Sequence, residues 1–323
     1  MNLALSKVFQ RAATFSRIAA ALAVLLAAIT ALFDFEIPLN VQVVIAIIAL
    51  AIGIPHGAID HLITIPRDSS HRFILFILFY TLIAISAGLA IAQWNLAGFQ
   101  LVVLISALHF GFGDSAFFNE SKGAAGTQKI SFPILVAYAL PAGFLPVVLP
   151  LTDQRTSRVL NKLNPAILNW SGSLTQEIRN LTFVAALFSI LILLITKNLA
   201  LALDLSLLAA LSTLVPPLIA FSVYFGCWHA IRHTARLVPK LPRAMEKVSL
   251  GEVKSAFVAA VKPGLYAIVG IFLLGLAIIF KGTGDLTSEF LWSILVIIWA
   301  LTVPHMATTS RFDLAAFKSS LHP

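Results

Sequence analysis

Two histidines one helical turn apart lie near the end of a long apolar stretch, where residues 227–233 read CWHAIRH. On a helix, residues four positions apart lie on the same face, with their Cβ atoms roughly 5–6 Å apart, which allows both to bind one metal ion. His229 and His233 are therefore the strongest candidate metal ligands in the chain.

Three further apolar stretches end in motifs that contain histidine. They read PHGAIDH at 55–61, HFGFGD at 109–114 and PHM at 304–306. These motifs contribute His56, His109 and His305, and we expect the four chain segments to meet. The sequence leaves open whether His305 is a ligand, a hydrogen-bonding partner of a ligand, or only a contact between helices.

The donor types limit the metal. Imidazoles with nearby carboxylates and no thiolate suit a borderline divalent ion such as Fe(II), Zn(II) or copper. The single cysteine, Cys227, excludes an intramolecular disulfide and a cysteine-rich or iron–sulfur site. The HExxH pattern of a zinc protease is absent.

The first of the three motifs contains two histidines, which we distinguish by helical geometry. On an ideal helix His56 and His61 point about 140° apart, so one ion cannot bind both unless the helix unwinds. Asp60 lies only about 40° from His56, which suits a carboxylate that orients the imidazole or neighbours the site. We therefore predict His56 as a ligand and His61 as a reserve. Asp114 is predicted as a second carboxylate beside the site.

Aromatic residues accompany these motifs. Phe221 and Phe225 precede His229 by eight and four positions, so they form a stripe that leads from the histidine into the membrane. Such a stripe commonly serves only packing; if it lines a pocket instead, the substrate is long and apolar. The other aromatic candidates for this pocket are Phe110, Phe112, Tyr224 and Trp228.

The elements that carry these residues belong to an integral membrane protein. The 323 residues are 59% hydrophobic and 11% charged, and their mean hydropathy is +0.95, values that exclude an ordinary soluble domain. No polar stretch is long enough to fold alone, so residues 1–323 are predicted to form a single all-α transmembrane domain. The net charge is +8, and the basic residues are scattered between apolar spans. This pattern indicates that they orient the protein in the membrane, and we expect no nucleic-acid partner.

Hydropathy predicts about ten transmembrane helices in a polytopic bundle. The predicted spans are about 18–33, 41–65, 73–93, 98–118, 132–151, 181–195, 199–214, 218–237, 266–280 and 290–306. An amphipathic segment around 159–168 is expected to lie on the membrane surface.

Charge asymmetry orients this bundle. Most of the 22 lysines and arginines, Arg232 and Arg236 included, fall on the side of the N-terminus, so both termini are predicted to be cytoplasmic. Even-numbered helices then run inward and place five histidines at one depth: His56, His109, His229, His233 and His305. Ionisable groups inside a membrane usually pair with each other, with water or with an ion, which supports a shared site.

Taken together, the four motifs resemble those of the Brp/Blh family of membrane β-carotene 15,15'-dioxygenases, in order and in spacing, over about residues 50–310. The resemblance implies an Fe(II)-dependent enzyme that uses O2 to cleave the central double bond of β-carotene into two retinal molecules. It also implies iron ligands at His56, His109, His229 and His233, with no catalytic residue beyond the metal centre.

The same resemblance implies a multi-pass protein of the bacterial or archaeal cytoplasmic membrane, with a functional link to a microbial rhodopsin. Its uncharged substrate is expected to enter from the lipid between helices.

Two other functions use similar residues. Paired histidines on facing helices also ligate haem, so a membrane electron-transfer protein is the main alternative. A metal or proton transporter is the second, but it needs polar residues across the membrane, and the outer halves of the second, fourth and eighth spans are almost purely apolar.

Overall fold

The computed structural model describes residues 2–65, 69–279 and 286–318, and within these ranges the chain is helical and contains no strand. The helices of the first half are α1 Asn2–Leu32, α2 Leu39–Gly57, α3 Asp60–Thr64, α4 Ser70–Gln93, α5 Asn95–Ala124, α6 Phe132–Leu151 and α7 Gln154–Leu163. Those of the second half are α8 Thr175–Ile195, α9 Leu199–Leu214, α10 Pro217–Ser222, α11 Ala230–Leu237, α12 Pro242–Ser249, α13 Val253–Val261, α14 Tyr266–Ile279 and α15 Leu286–Lys318.

Eight helices in the described part of the chain are long and apolar enough to cross a membrane, which confirms the all-α polytopic class. The seventh predicted span is the shorter apolar helix α9. The eighth corresponds to α10, a π-helical segment and α11, which follow one another from Pro217 to Leu237. The predicted end of the ninth span, residue 280, lies outside the described residues.

The π-helical segment, Val223–His229, carries the first histidine of the CWHAIRH motif. At its end the Ala230 N–H donates to the Phe225 carbonyl five residues back, which is the hydrogen-bond pattern of the wider π turn. Simple helical periodicity did not predict this segment. Such turns are frequent at functional sites because the extra residue in the turn reorients the side chains around it.

Glycines bring α2 against the π-helical segment. A Cβ on Gly53 would stand 2.0 Å from the Phe225 ring, and one on Gly226 would stand 3.2 Å from Ala49. Small residues at these positions let the two backbones approach closely, as at other interfaces between membrane helices. The close packing holds the histidine at the end of α2 beside those of the CWHAIRH motif.

Helices α5 and α6 approach each other even more closely. A Cβ on Gly111 would meet the Ala139 carbonyl oxygen at 1.9 Å, and one on Gly143 would meet the Ala107 carbonyl oxygen at 1.8 Å. Gly111 and Gly143 therefore permit the close approach of the two helices. This contact sets the position of α5 and with it His109.

The predicted amphipathic segment is observed with earlier bounds. Helix α7 begins after Asp153, whose carboxylate accepts a hydrogen bond from the Arg155 N–H, and ends at Leu163. The rest of the predicted segment forms a short 3-10 turn, Pro165–Ile167.

The two ends of the described chain lie together, because residues of α1 and α15 line one cavity of about 370 Å³.

Candidate functional site

Five histidines from separate parts of the chain converge inside the bundle, and each is at most 7% exposed. His56 comes from the end of α2, His109 from α5, and His305 from α15. His229 ends the π-helical segment and His233 lies in α11. The meeting of these segments, expected from the sequence, is observed. We call these five side chains the imidazole cluster.

The imidazole rings of this cluster lie in direct contact. The ring centroid of His56 is 5.4 Å from that of His229 and 5.0 Å from that of His233. The centroid of His109 is 5.2 Å from that of His229 and 5.3 Å from that of His305. His229 and His233 stack at 5.7 Å, so the i, i+4 pair does share one face.

Six ring nitrogens of the cluster are buried without a hydrogen-bond partner among the described residues: His56 Nδ1, His109 Nε2, His229 Nε2, both nitrogens of His233, and His305 Nε2. An unpartnered buried polar atom costs about 1–3 kcal/mol, so a group of six requires an explanation. Among the described residues, no group of three or more histidine, cysteine, aspartate or glutamate side chains is already arranged as a metal site. The cluster therefore offers several free nitrogen donors without a preformed coordination geometry.

Asp60 neighbours the cluster, but its partner differs from the one that ideal helix geometry suggested. Its carboxylate oxygens lie 3.1 and 2.9 Å from His305 Nδ1, whereas the sequence placed it nearest His56. The reason is a break in the helix: α2 ends at Gly57, and α3 begins only at Asp60. The reserve ligand His61 lies outside the cluster, with its ring 5.9 Å from that of Phe73.

Asp114 lies behind the π-helical segment and contacts the site indirectly. Its carboxylate accepts a hydrogen bond of 2.6 Å from Trp228 Nε1 and lies 4.0 Å from the Arg232 guanidinium. The guanidinium itself stacks on the Trp228 ring at 3.8 Å. Asp114 and Trp228 therefore fix the back of the helix whose other face carries His229 and His233.

Arg232 belongs to a buried ion-pair network that the sequence reasoning missed. It is 1% exposed, although charge asymmetry alone treats it as one of the cations on the side of the N-terminus. Asp204, fully buried in α9, pairs with Arg232 at 2.7 Å and with Arg17 of α1 at 2.5 Å. The sequence does contain a sign of this network, because Asp204 lies within the predicted span 199–214 and a buried aspartate there requires a partner.

Arg236 forms a second buried ion-pair network next to the cluster. Its side chain pairs with Glu120 of α5 at 3.0 Å and with Asp313 of α15 at 2.8 Å. It also donates to the Gly113 carbonyl at 3.4 Å. Charge asymmetry treats this arginine in the same way, but the structure buries it where three histidine-bearing helices meet.

Four of the aromatic candidates adjoin the cluster. Phe110 lies 4.4 Å from His229 between ring centroids and 5.4 Å from Tyr224. Phe225 stacks on His229 at 6.3 Å, and Phe221 stacks on Phe225 at 5.8 Å. We call Phe110, Phe221, Tyr224 and Phe225 the aromatic stripe.

The remaining two aromatic candidates face elsewhere. The Trp228 indole contacts Asp114 and Arg232, and Phe112 packs against Phe317 at 5.3 Å. The difference follows from position on the helix. Phe112 lies two positions after Phe110, and Trp228 lies one position before His229, so each points to another side of its helix.

Comparison with known proteins agrees with this architecture. The family model described as beta-carotene 15,15'-dioxygenase matches residues 47–313, a range that contains all five histidines of the cluster. A curated relative from uncultured marine bacterium 66A03, named beta-carotene 15,15'-dioxygenase, is 28% identical over 266 residues. The match covers 79% of this chain and 88% of the relative. No solved structure matches significantly.

Proposed function

Because the chain belongs to the beta-carotene 15,15'-dioxygenase family, we propose that it cleaves the central 15,15' double bond of β-carotene with O2. The products are two retinal molecules, and each retinal aldehyde carries one of the two oxygen atoms. The observation that carries the proposal is the imidazole cluster, buried inside a membrane bundle beside an aromatic stripe. That combination suits oxidation of an apolar substrate.

The imidazole cluster fits an iron ion as the resident metal. Two imidazoles that bind one ion through nitrogens about 2.1 Å away have ring centroids roughly 4.5–6.5 Å apart. The observed centroid distances fall in that range. They are 5.0–5.7 Å among His56, His229 and His233, and 5.2 Å between His109 and His229.

Ligation would also give a partner to one unpartnered buried nitrogen of each of these four residues. His56, His109, His229 and His233 are thus the proposed Fe(II) ligands. When bound there, iron supplies the binding and activation of O2.

The protein's own side chains provide a dry, apolar site for the polyene. Phe110, Tyr224 and Phe225 present ring faces and edges directly beside His229, which favour contact with a conjugated hydrocarbon. Burial of the cluster keeps bulk water away from the reacting carbons. The position of the stripe relative to the histidines would then decide which double bond lies next to the metal.

The proposed substrate also agrees with the surroundings of the site. β-Carotene carries no charge and dissolves in the bilayer, so we propose that it enters laterally between helices from the lipid. We further propose that the protein resides in the cytoplasmic membrane of a bacterium or archaeon and supplies retinal to a microbial rhodopsin. The bacterial source of the relative supports the bacterial part of this proposal.

The haem alternative is disfavoured by the packing of the cluster. A haem iron with two axial histidines needs a flat slot for the porphyrin between the two imidazoles. In this cluster the rings contact one another directly, at 5.0–5.7 Å around His56 and His233. No such slot separates these described side chains.

The test is expression in a bacterium that accumulates β-carotene, followed by chromatographic measurement of retinal. We expect the wild type to deplete β-carotene and form retinal, and His229→Ala to lower retinal by about 100-fold or more, since it removes a ligand. His61→Ala is the matched control and should retain activity. Wild-type protein that is present in the membrane yet forms no retinal contradicts the proposal, and a strong Soret band in the purified protein favours the haem alternative.

A further inference from the structure

We propose that His305 is a fifth imidazole of the same metal centre and that Asp60 is the carboxylate that aims it. This inference rests on the proposed function, because it extends the ligand set proposed for iron. It assigns a role to two residues whose function the motifs left open.

The first observation is the position of His305. Its ring centroid lies 5.5 Å from that of His56, 5.3 Å from that of His109 and 5.5 Å from that of His233. These spacings match those among the four proposed ligands. His305 is therefore a member of the cluster in its own right, and α15 contributes to the centre as directly as α2 and α5 do.

The second observation is the unequal environment of its two nitrogens. Nδ1 lies within 2.9 Å of the Asp60 carboxylate, and a carboxylate can only accept, so Nδ1 carries the hydrogen. In the neutral imidazole Nε2 then keeps its lone pair, and it is buried without a partner among the described residues. Metal-bound histidines commonly show this arrangement, in which a carboxylate on one nitrogen fixes the tautomer and the ring orientation.

Asp60 is itself held in place. The Tyr80 hydroxyl of α4 donates to Asp60 Oδ2 at 3.2 Å, and the Asp60 side chain is almost fully buried. Gly57 lies beside the Asp60–His305 pair. A Cβ at this position would stand 3.4 Å from the His305 ring, so the glycine leaves room for that ring. The turn between α2 and α3 thus presents Asp60 to His305 while His56 remains in the cluster.

A purely structural ion pair explains these contacts less well. A structural pair between His305 and Asp60 satisfies Nδ1 but leaves Nε2 buried and unpartnered, at a cost of about 1–3 kcal/mol. A ligand role satisfies both nitrogens. It also explains why Thr309, one turn further along α15, contacts His109 Nδ1 at 3.3 Å, since α15 then orients two rings of one centre.

The test measures metal binding by the purified full-length protein, apart from its activity. We expect Asp60→Asn to weaken Fe(II) binding about 10–100-fold and His305→Ala to weaken it at least as much. Tyr80→Phe, which removes only the hydroxyl that holds Asp60, should weaken binding by less than Asp60→Asn does. His61→Ala is the matched control, because it removes a histidine adjacent to Asp60 that lies outside the cluster.

A spectroscopic measurement separates ligation from structural support. In protein loaded with Co(II), the N–H proton of a metal-bound imidazole gives a strongly shifted NMR signal. One such signal should disappear in His305→Ala and move in Asp60→Asn, while His61→Ala keeps the wild-type pattern. A structural role alone would lower the thermal stability of the metal-free protein and leave these signals in place.

The outcomes distinguish this inference from the proposed function. If His305→Ala binds Fe(II) as tightly as the wild type and keeps every shifted signal, the inference is wrong, whatever happens to retinal formation. If the wild type binds Fe(II) and shows the expected signals but does not cleave β-carotene, the proposed function fails and the fifth ligand stands.

Discussion

The contact between α5 and α6 offers a quantitative test of the structure, through the change Gly111→Ala. A Cβ at this position would stand 1.9 Å from the Ala139 carbonyl oxygen, whereas a carbon normally approaches a carbonyl oxygen to about 3.3 Å. The two backbones would therefore have to move roughly 1.4 Å apart. A flexible side chain could rotate out of the way, but a helix backbone cannot, so strain must spread along both helices.

The cost can be bounded from known overpacking effects. Inserting a methyl group into a packed core costs about 1–3 kcal/mol, and a clash with backbone belongs at the upper end or beyond. A loss of about 3 kcal/mol should lower the Tm of a chain of this size by about 4–5 °C. Because Gly111 follows His109 by two residues, the shift of α5 should also displace that imidazole and reduce retinal formation.

The matched control is Gly270→Ala in α14, where an added Cβ meets no atom of the described residues within 4 Å. Alanine is the better helix former by about 1 kcal/mol, so this variant should be neutral or slightly more stable. Both variants are compared by thermal unfolding of the purified protein and by retinal yield in cells. Equal Tm values for Gly111→Ala and Gly270→Ala would refute the packing argument.

Two further changes probe the buried charges and the aromatic stripe. Arg232→Met leaves Asp204 with one partner fewer, so it should destabilise the fold by about 3–5 kcal/mol in thermal unfolding. Arg155→Met, the control, breaks the more exposed ion pair with Asp153 and should cost at most about 1 kcal/mol of stability. Similar losses of stability in the two variants would contradict the importance of the buried network. Phe225→Ala removes apolar contact worth about 1.5–3 kcal/mol, so kcat/KM for β-carotene should fall about 10–100-fold with Fe(II) affinity retained. Phe112→Ala is its control, and an equal loss of kcat/KM there would argue against a substrate role for the stripe.

Hydropathy and helix direction predicted much of this molecule, for identifiable reasons. Apolar runs long enough to cross a bilayer leave little alternative to membrane helices. The alternation of helix direction then brought His56, His109, His229 and His305 to one level without any knowledge of packing. The i, i+4 spacing fixed the His229–His233 pair because α11 keeps regular geometry after the π-helical segment.

The details that the sequence did not predict depend on local breaks in regular structure. Asp60 was assigned to His56 on the assumption of a continuous helix, but Ala58 and Ile59 interrupt it and turn the carboxylate toward His305. Periodicity likewise treats the π-helical segment as an ordinary helix. The ion pair of Arg232 is not predicted, because its partner, Asp204, is distant in sequence and only the fold brings the two together.

The buried arginines explain how a rigid site is built within a bundle that has few polar contacts. Each histidine of the CWHAIRH motif is followed three residues later by an arginine: Arg232 follows His229, and Arg236 follows His233. Arg232 ties the helix to α9 through Asp204, while Arg236 ties it to α5 and α15 through Glu120 and Asp313. Ion pairs are strong where water is excluded, and they are directional, whereas apolar side chains contact lipid and protein about equally well. The same helix thus presents imidazoles toward the cluster and guanidinium groups toward its neighbours, so the ion pairs set the position of the two imidazoles.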